Sequence, residues 1–226
     1  MQLSEVVPWG RSYDEYVAMF QLSPGDLQKK ILGCGDGPAC FNAELTARGG
    51  QIISADPLYR FDADQIRTRI EAVYPQIVEQ VAQSPEKFIW TTIPDVASLG
   101  RVRMAAMDRF LEDYEQSIPT KRYVNAALPQ LPFETDEFDL ALCSHYLFLY
   151  SDHVSQKEHI ASMQELCRVA KEVRVYPLVT LGSDRVSAHL GPVMKALEHD
   201  GITVSFTPVT YRFQVGATEM LVAKSD

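Results

Sequence analysis

The sequence predicts an α/β fold: a doubly wound, mostly parallel sheet that ends in an antiparallel hairpin and carries a helical insertion between its second and third strands. Three observations predict it. Residues 29–37 read Lys-Lys-Ile-Leu-Gly-Cys-Gly-Asp-Gly, a short apolar run entering a turn that carries Gly33, Gly35 and Gly37. A second strand pattern, Gln51 to Ala55, follows a helix-like stretch and ends on the carboxylate of Asp56. Near the end of the chain, Ile202–Thr207 and Glu219–Ala223 read as two strands close in sequence, as a hairpin requires.

The elements follow in order. Asp14–Gln21 has a helical spacing through Tyr16, Val17, Met19 and Phe20, and Ser23-Pro24-Gly25 breaks it. A strand near 30–33, a helix over 38–48 with Pro38 in its first turn, and a strand over 51–55 come next. The following strand, Arg122–Val124, begins only after residues 57–121. An ordinary crossover needs one helix and a few loop residues, so this stretch is an insertion. It holds helical patterns over 63–82 and 99–114, joined by the apolar segment Phe88-Ile89-Trp90. Pro75 inside the first predicts a kink or a split. Phe138–Cys143 then reads as a strand, Gln156–Lys171 as an amphipathic helix, 172–178 as a strand and 187–198 as a helix stopped by Asp200-Gly201. Tyr211–Gln214 is a candidate start for the last strand. The whole chain, 1–226, reads as a single domain, with 1–25 as an amino-terminal cap and 57–121 as a helical insertion or lid.

Composition bounds the function. The net charge of −9 argues against a broad nucleic-acid surface, which needs a basic field. The cysteines, at 34, 40, 143 and 167, form no C-x-x-C pair, so a zinc knuckle is not expected and no metal site is predicted. No signal peptide and no twenty-residue apolar span is evident, which predicts a cytoplasmic protein with no membrane partner. Monomer and homodimer both stay open.

The glycine turn and the following carboxylate together signal a nucleoside-containing cofactor, because the turn admits a ligand against bare backbone and the carboxylate accepts from ribose hydroxyls. The dinucleotide pattern G-x-G-x-x-G wants a third glycine where this chain has Pro38. Instead Gly33-x-Gly35-x-Gly37 resembles the first motif of class I S-adenosylmethionine (SAM)-dependent methyltransferases, of the type 11-like group. Further segments carry the resemblance in the family's order: Leu131-Pro132-Phe133 leading to Phe138-Asp139, then Glu165-Leu-Cys-Arg-Val169, then the strand near 172–178. Together they span roughly residues 12–60 and 120–224. Two departures stand out. Ala127 occupies the position where many members carry an acid for the adenine amino group, with Asn125 nearby but out of register, and Ile31 and Leu32 precede the first glycine where an acid is common.

The resemblance implies a seven-stranded Rossmann-like sheet, SAM as cofactor with S-adenosylhomocysteine as product, and methyl transfer to a small-molecule acceptor. It places Gly33, Cys34, Gly35 and Gly37 against the methionine and ribose portions, Asp56 on the ribose hydroxyls and Pro57 (with Leu58) on the adenine. Ala127 and Leu128 would hold the adenine by backbone groups, and Ser144 would lie beside the sulfonium methyl. Arg11 is the candidate partner of the methionine carboxylate, and Tyr16 or Tyr13 of the cofactor pocket. Methyl transfer is an in-line displacement on an already activated carbon, so positioning and water exclusion supply most of the acceleration, and a base helps only a protonated acceptor. His145 is the candidate base because a histidine ordinarily titrates near neutrality, with Tyr146 and Tyr150 as alternatives. The tetrad Cys143-Ser-His-Tyr146 does not match the Asn/Asp-Pro-Pro-Tyr motif of base-methylating enzymes. In the insertion, Trp90, Arg101, Phe110 and Tyr114 are candidate acceptor contacts, because inserts at strand ends carry specificity. A non-catalytic cofactor-binding protein of the same fold and a nicotinamide-dependent oxidoreductase are the competing readings. Pro38 and the terminal hairpin disfavour the second.

Overall fold

The computed structural model describes residues 7–225. Its centre is a seven-stranded sheet of β1 (Lys30–Cys34), β2 (Gln51–Ala55), β3 (Tyr123–Val124), β4 (Phe138–Ser144), β5 (Ala170–Tyr176), β6 (Thr203–Pro208) and β7 (Glu219–Lys224). The strands lie in the order β3-β2-β1-β4-β5-β7-β6. All pairs from β3 to β5 are parallel, while β7 runs antiparallel to both β5 and β6. Strand order reverses between β1 and β4, and in an open α/β sheet a ligand crevice forms outside the carboxyl ends at that switch point.

The helices are α1 (Tyr13–Phe20), α2 (Phe41–Ala47), α3 (Ala63–Ala82), α4 (Val96–Ser117), α5 (Gln156–Val169) and α6 (Leu190–His199). Capping boxes set the starts of three of them: Ser12 with Glu15, Asp62 with Gln65, and Ser155 with Glu158 each exchange side-chain and backbone hydrogen bonds. Alternation along the central strands divides the core. Ile31, Leu140 and Leu142 face Tyr16, Phe20 and Phe41 on one side, while Leu32, Ala141 and Cys143 face Met163, Leu166 and Val193 on the other. Both faces are buried, as a parallel sheet requires. The insertion adds a third cluster, in which Ile66 and Ile70 of α3 meet Ala106, Met107, Phe110 and Tyr114 of α4.

Several sequence expectations shift. Helix α3 runs unbroken through Pro75, so no split occurs. Proline inside a helix costs about 3 kcal/mol, whereas each buried Ile or Val contributes about 1.5–3 kcal/mol, and Ile66, Ile70, Val73, Ile77 and Val81 are all buried. Pro38 is not in the first turn of α2: it sits in a reverse turn closed by the Ala39 N–H on the Asp36 carbonyl, and the helix starts at Phe41. Helix α4 extends three residues beyond the expected 99–114 at each end. At the junction near 170, α5 ends earlier and β5 starts and ends earlier than expected. The helix expected over 187–198 begins at Leu190, because Ser187–His189 form a turn in which the Ser187 hydroxyl accepts from the His189 N–H. Tyr211–Gln214 does not start the last strand. Phe213 and Val215 pair instead with the loop at Lys87–Ile89, and the Gln214 amide donates to the Thr180 and Ser183 carbonyls.

Candidate active site

A cavity of about 770 Å³ opens at the carboxyl ends of β1, β2 and β4, where Cys34, Ala55 and Ser144 reach its wall. That size is in the range of small-molecule sites. The chain enters it through the glycine turn. Gly35 has φ +70° and Gly37 φ +52°, conformations that favour glycine. A Cβ on Gly37 would meet nothing, whereas one on Gly35 would press on the Tyr146 ring. Gly33 does not line the cavity. Its missing Cβ makes room for a carboxylate: an added Cβ would stand 1.8 Å from Asp36 Oδ2.

Asp36 is the residue the sequence reading missed. It is buried beneath the turn, where Tyr16 donates its hydroxyl to Oδ1 at 2.8 Å and Ser54 donates to Oδ2 at 2.6 Å. Burial raises its pKa to about 6 against the pull of those two hydrogen bonds. Tyr16 lines the cavity as expected, yet its hydroxyl serves Asp36, and its ring stacks on Phe41. Tyr13 packs on Phe41 under the Arg48 guanidinium and lies away from the cavity wall.

Asp56 lies on the wall at the end of β2. Its carboxylate accepts from the Gly37 N–H at 2.9 Å and the Leu58 N–H at 2.7 Å, so it ties the glycine turn to the turn at Pro57–Arg60. Burial raises its pKa, and those two amides oppose the rise. Each carboxylate oxygen keeps further acceptor capacity. The Tyr59 hydroxyl donates to the Gly37 carbonyl at 2.8 Å and fixes the turn from the other side. Pro57, Leu58, Ala126, Ala127 and Leu128 line the adjoining wall, while Asn125 does not.

The tip of β4 supplies Ser144, His145 and Tyr146. His145 has φ +53°, a conformation uncommon outside glycine, and its N–H donates to the Tyr176 carbonyl at 2.8 Å. Its Nδ1 shares a 2.9 Å hydrogen bond with the Ser144 hydroxyl, and its ring stands edge-on to Tyr176. The expectation that it titrates near neutrality is corrected. Burial, then the nearby charges of Arg11 and Arg103, push its pKa well below the usual value, so the ring is neutral at pH 7. Burial likewise pushes Tyr146 up to about 12, which makes it a hydrogen-bond donor at neutral pH. Tyr150 is buried on the same wall, with its pKa also raised by burial.

Arg11 also lines the cavity. One Nη donates to the Trp9 carbonyl at 2.5 Å, and Nε is buried with no hydrogen-bond partner among the described residues. The strap that carries it is seated on the glycine turn: a Cβ on Gly10 would stand 2.1 Å from the Pro38 carbonyl oxygen, and the Cys40 N–H donates to the Arg11 carbonyl.

The insertion does reach the cavity, through residues other than those expected. Ile66, Ile77, Val81, Phe88 and Leu99 form an apolar wall, with Arg60 and Lys87 among the polar residues beside it. The four expected contacts lie off the wall. Trp90 packs edge-on to Phe213 and donates to the Pro85 carbonyl. Arg101 bonds to Ser98 on the exposed face of α4. Phe110 and Tyr114 stack on each other in the third core cluster, with the Tyr114 hydroxyl on the Tyr59 and Phe61 carbonyls. Their helical positions were read correctly as apolar, but that stripe is the face turned to α3, α2 and β3.

No protein-family model matches the chain. An uncharacterized protein of Methanocaldococcus jannaschii is 27% identical over 225 residues, which cover 99% of this chain and 98% of that protein. Magnesium protoporphyrin IX methyltransferase from Synechocystis PCC 6803, crystallised with bound SAM, superposes with a TM-score of 0.51 at 13% identity, covering 95% of this chain and 78% of that one. The same enzyme with bound SAH gives 0.49 at 14% identity, covering 95% and 81%. The chain therefore has the class I SAM-dependent methyltransferase fold, including the antiparallel final strands that the sequence predicted.

Proposed function

We propose that this protein is a SAM-dependent methyltransferase that acts on a small-molecule acceptor. The observation that carries the reading is the convergence on one cavity of a glycine turn, the Asp56 carboxylate and the tip of β4. The residues present fit the cofactor. Gly37 leaves open space, Asp56 has free lone pairs for ribose hydroxyls, and Arg11 brings an unpartnered buried N–H for a carboxylate. Pro57 and Leu58 would flank the adenine, and backbone at Ala126–Leu128 would supply its polar contacts, since Ala127 offers no acid.

The bound cofactor supplies a methyl group already activated by its positive sulfur. This chain's own residues therefore position the acceptor and exclude water. Ser144, His145 and Tyr146 line that position: neutral His145 accepts or donates one hydrogen bond, and protonated Tyr146 donates one. The lowered pKa makes neutral His145 a weak base and the raised one keeps Tyr146 protonated, so the favoured acceptor needs little help to lose a proton, as with a carboxylate, a thiolate or a neutral amine. The −9 net charge supports a small molecule over nucleic acid, and an intracellular, cytoplasmic setting belongs to the same proposal. Among the described residues no helix is long and apolar enough to cross a membrane.

Incubation with methyl-labelled SAM and panels of acids, thiols and amines tests the reading. It expects label transfer to one panel with stoichiometric S-adenosylhomocysteine. Tight SAM binding without turnover on any panel would favour a non-catalytic binding protein.

A further inference from the structure

Behind the cavity wall lies a buried charge cluster with a surplus. Arg103, on α4 of the insertion, is 0% exposed. One of its Nη atoms donates to Glu15 Oε2 at 2.6 Å. The Tyr211 hydroxyl donates to the other oxygen, Oε1, at 2.7 Å, and the Ser12 N–H donates to Oε2 at 2.9 Å. Both oxygens of Glu15 are thus engaged. Burial opposes its ionisation, but the charge and hydrogen bond of Arg103, with Arg11 adding to them, hold its pKa at about 2. Arg11, half-buried, interacts electrostatically with Arg103, Glu15, Tyr211 and Tyr16. Among the described residues, two guanidiniums therefore share one carboxylate. Among the described residues, Nε of Arg11 and Nε and the second Nη of Arg103 have no hydrogen-bond partner. A buried charge without a counter-charge costs several kcal/mol and is kept only where something compensates it. Arg11 is the member of the cluster that reaches the cavity.

We propose that Arg103 is a positioning residue: by occupying Glu15 it leaves Arg11 without a carboxylate of its own among the described residues, so that the cavity presents a guanidinium to the amino-acid carboxylate of the cofactor. This rests on the cofactor reading above and adds a role for the insertion. Glu15 comes from α1 and Arg103 from α4, so the carboxylate that neutralises the surplus also draws the amino-terminal strap and the insertion onto one charge cluster. Without Arg103, Glu15 would be free to pair with Arg11 and cancel its charge.

The test compares SAM with decarboxylated SAM, which keeps the sulfonium and amine and lacks only the carboxylate, by calorimetric titration of the full chain. The wild-type protein is expected to bind SAM about tenfold to a hundredfold more tightly, the range of hydrogen bonds to charged groups. Arg103→Met is expected to reduce that preference to about threefold or less while its affinity for decarboxylated SAM holds, and Arg103→Lys to restore part of the preference. Glu15→Gln, which keeps the capping box but removes the negative charge, is expected to raise the preference several-fold. A purely structural role for Arg103 would lower both affinities together in Arg103→Met and would not raise the preference in Glu15→Gln; either result overturns the proposal. Equal wild-type affinity for the two ligands overturns it while leaving the cofactor reading in place. Binding of neither ligand removes both.

Discussion

The two sides of the cavity follow opposite rules. On the sheet side the polar side chains hold one another: Asp36 is fixed by Tyr16 and Ser54, Asp56 by the Gly37 and Leu58 amides, and Ser144 by His145. On the insertion side the wall is made of Ile66, Ile77, Val81, Phe88 and Leu99, and the rings of Tyr59, Phe110, Tyr114 and Tyr123 form a separate cluster that Ile66 joins. Fixed dipoles cost no reorganisation when a polar ligand arrives, which suits the invariant part of a cofactor. An apolar wall sets volume and shape and can change its specificity by exchanging side chains. Under the proposed function, the sheet side would recognise the cofactor and the insertion side would select the acceptor.

Separability of the two sides is the first thing to break. Phe110 is fully buried in the ring cluster and touches no cavity wall. Phe110→Ala is expected to lose about 3–5 kcal/mol of stability in a denaturant titration. The SAM affinity of the folded fraction should stay within about threefold, and its collapse would mean that the two sides are one unit.

Asp36 sharpens the sheet side through pH. Its native pKa is raised to about 6, so the native state keeps a proton that the unfolded chain releases near pH 4. The native state then binds more protons across that window, and this group's contribution to stability falls as pH rises from about 4 to 6, by roughly 3 kcal/mol at most. Denaturation midpoints followed from pH 4 to 7 should show this loss as a difference between the wild-type protein and Asp36→Asn. Parallel curves would refute a raised pKa.

Asp56→Ala is expected to weaken SAM binding more than roughly tenfold, about 1.4 kcal/mol, in addition to orphaning the Gly37 and Leu58 amides. An unchanged affinity in a folded variant would leave Asp56 as a turn cap alone. The smallest effect belongs to Arg101, whose partner is Ser98 on the exposed face of α4. Arg101→Ala should change stability by less than about 0.5 kcal/mol and leave SAM affinity and turnover as they are. A loss of turnover would return this residue to the acceptor contacts.

What the sequence revealed tracks how local the signal is. The glycine turn and Asp56 are legible because a few adjacent residues set strand, turn and strand tip. The fold's last two strands are legible for the same reason, from two strand-like runs, Ile202–Thr207 and Glu219–Ala223, close in sequence. Asp36 stood inside the quoted motif and still escaped, because its partners Tyr16 and Ser54 lie about twenty residues away on either side. The signal was Gly33, whose missing Cβ the carboxylate requires. Arg103 reads as a solvated charge until its spacing is followed: Leu99, Arg103, Met107 and Phe110 recur at helical steps, which puts a guanidinium on the buried stripe of α4. Its partner Glu15 is 88 residues away, beyond any local pattern. Trp90, Phe110 and Tyr114 were drawn toward the cavity for being large and aromatic, but their pairing partners, Phe213, Tyr59 and Tyr123, take them into packing instead.

Calorimetric titration of the purified chain with SAM, S-adenosylhomocysteine and NAD in parallel tests the central claim most directly. The account predicts micromolar binding of the two adenosyl ligands and none of NAD. Binding of NAD alone would contradict it.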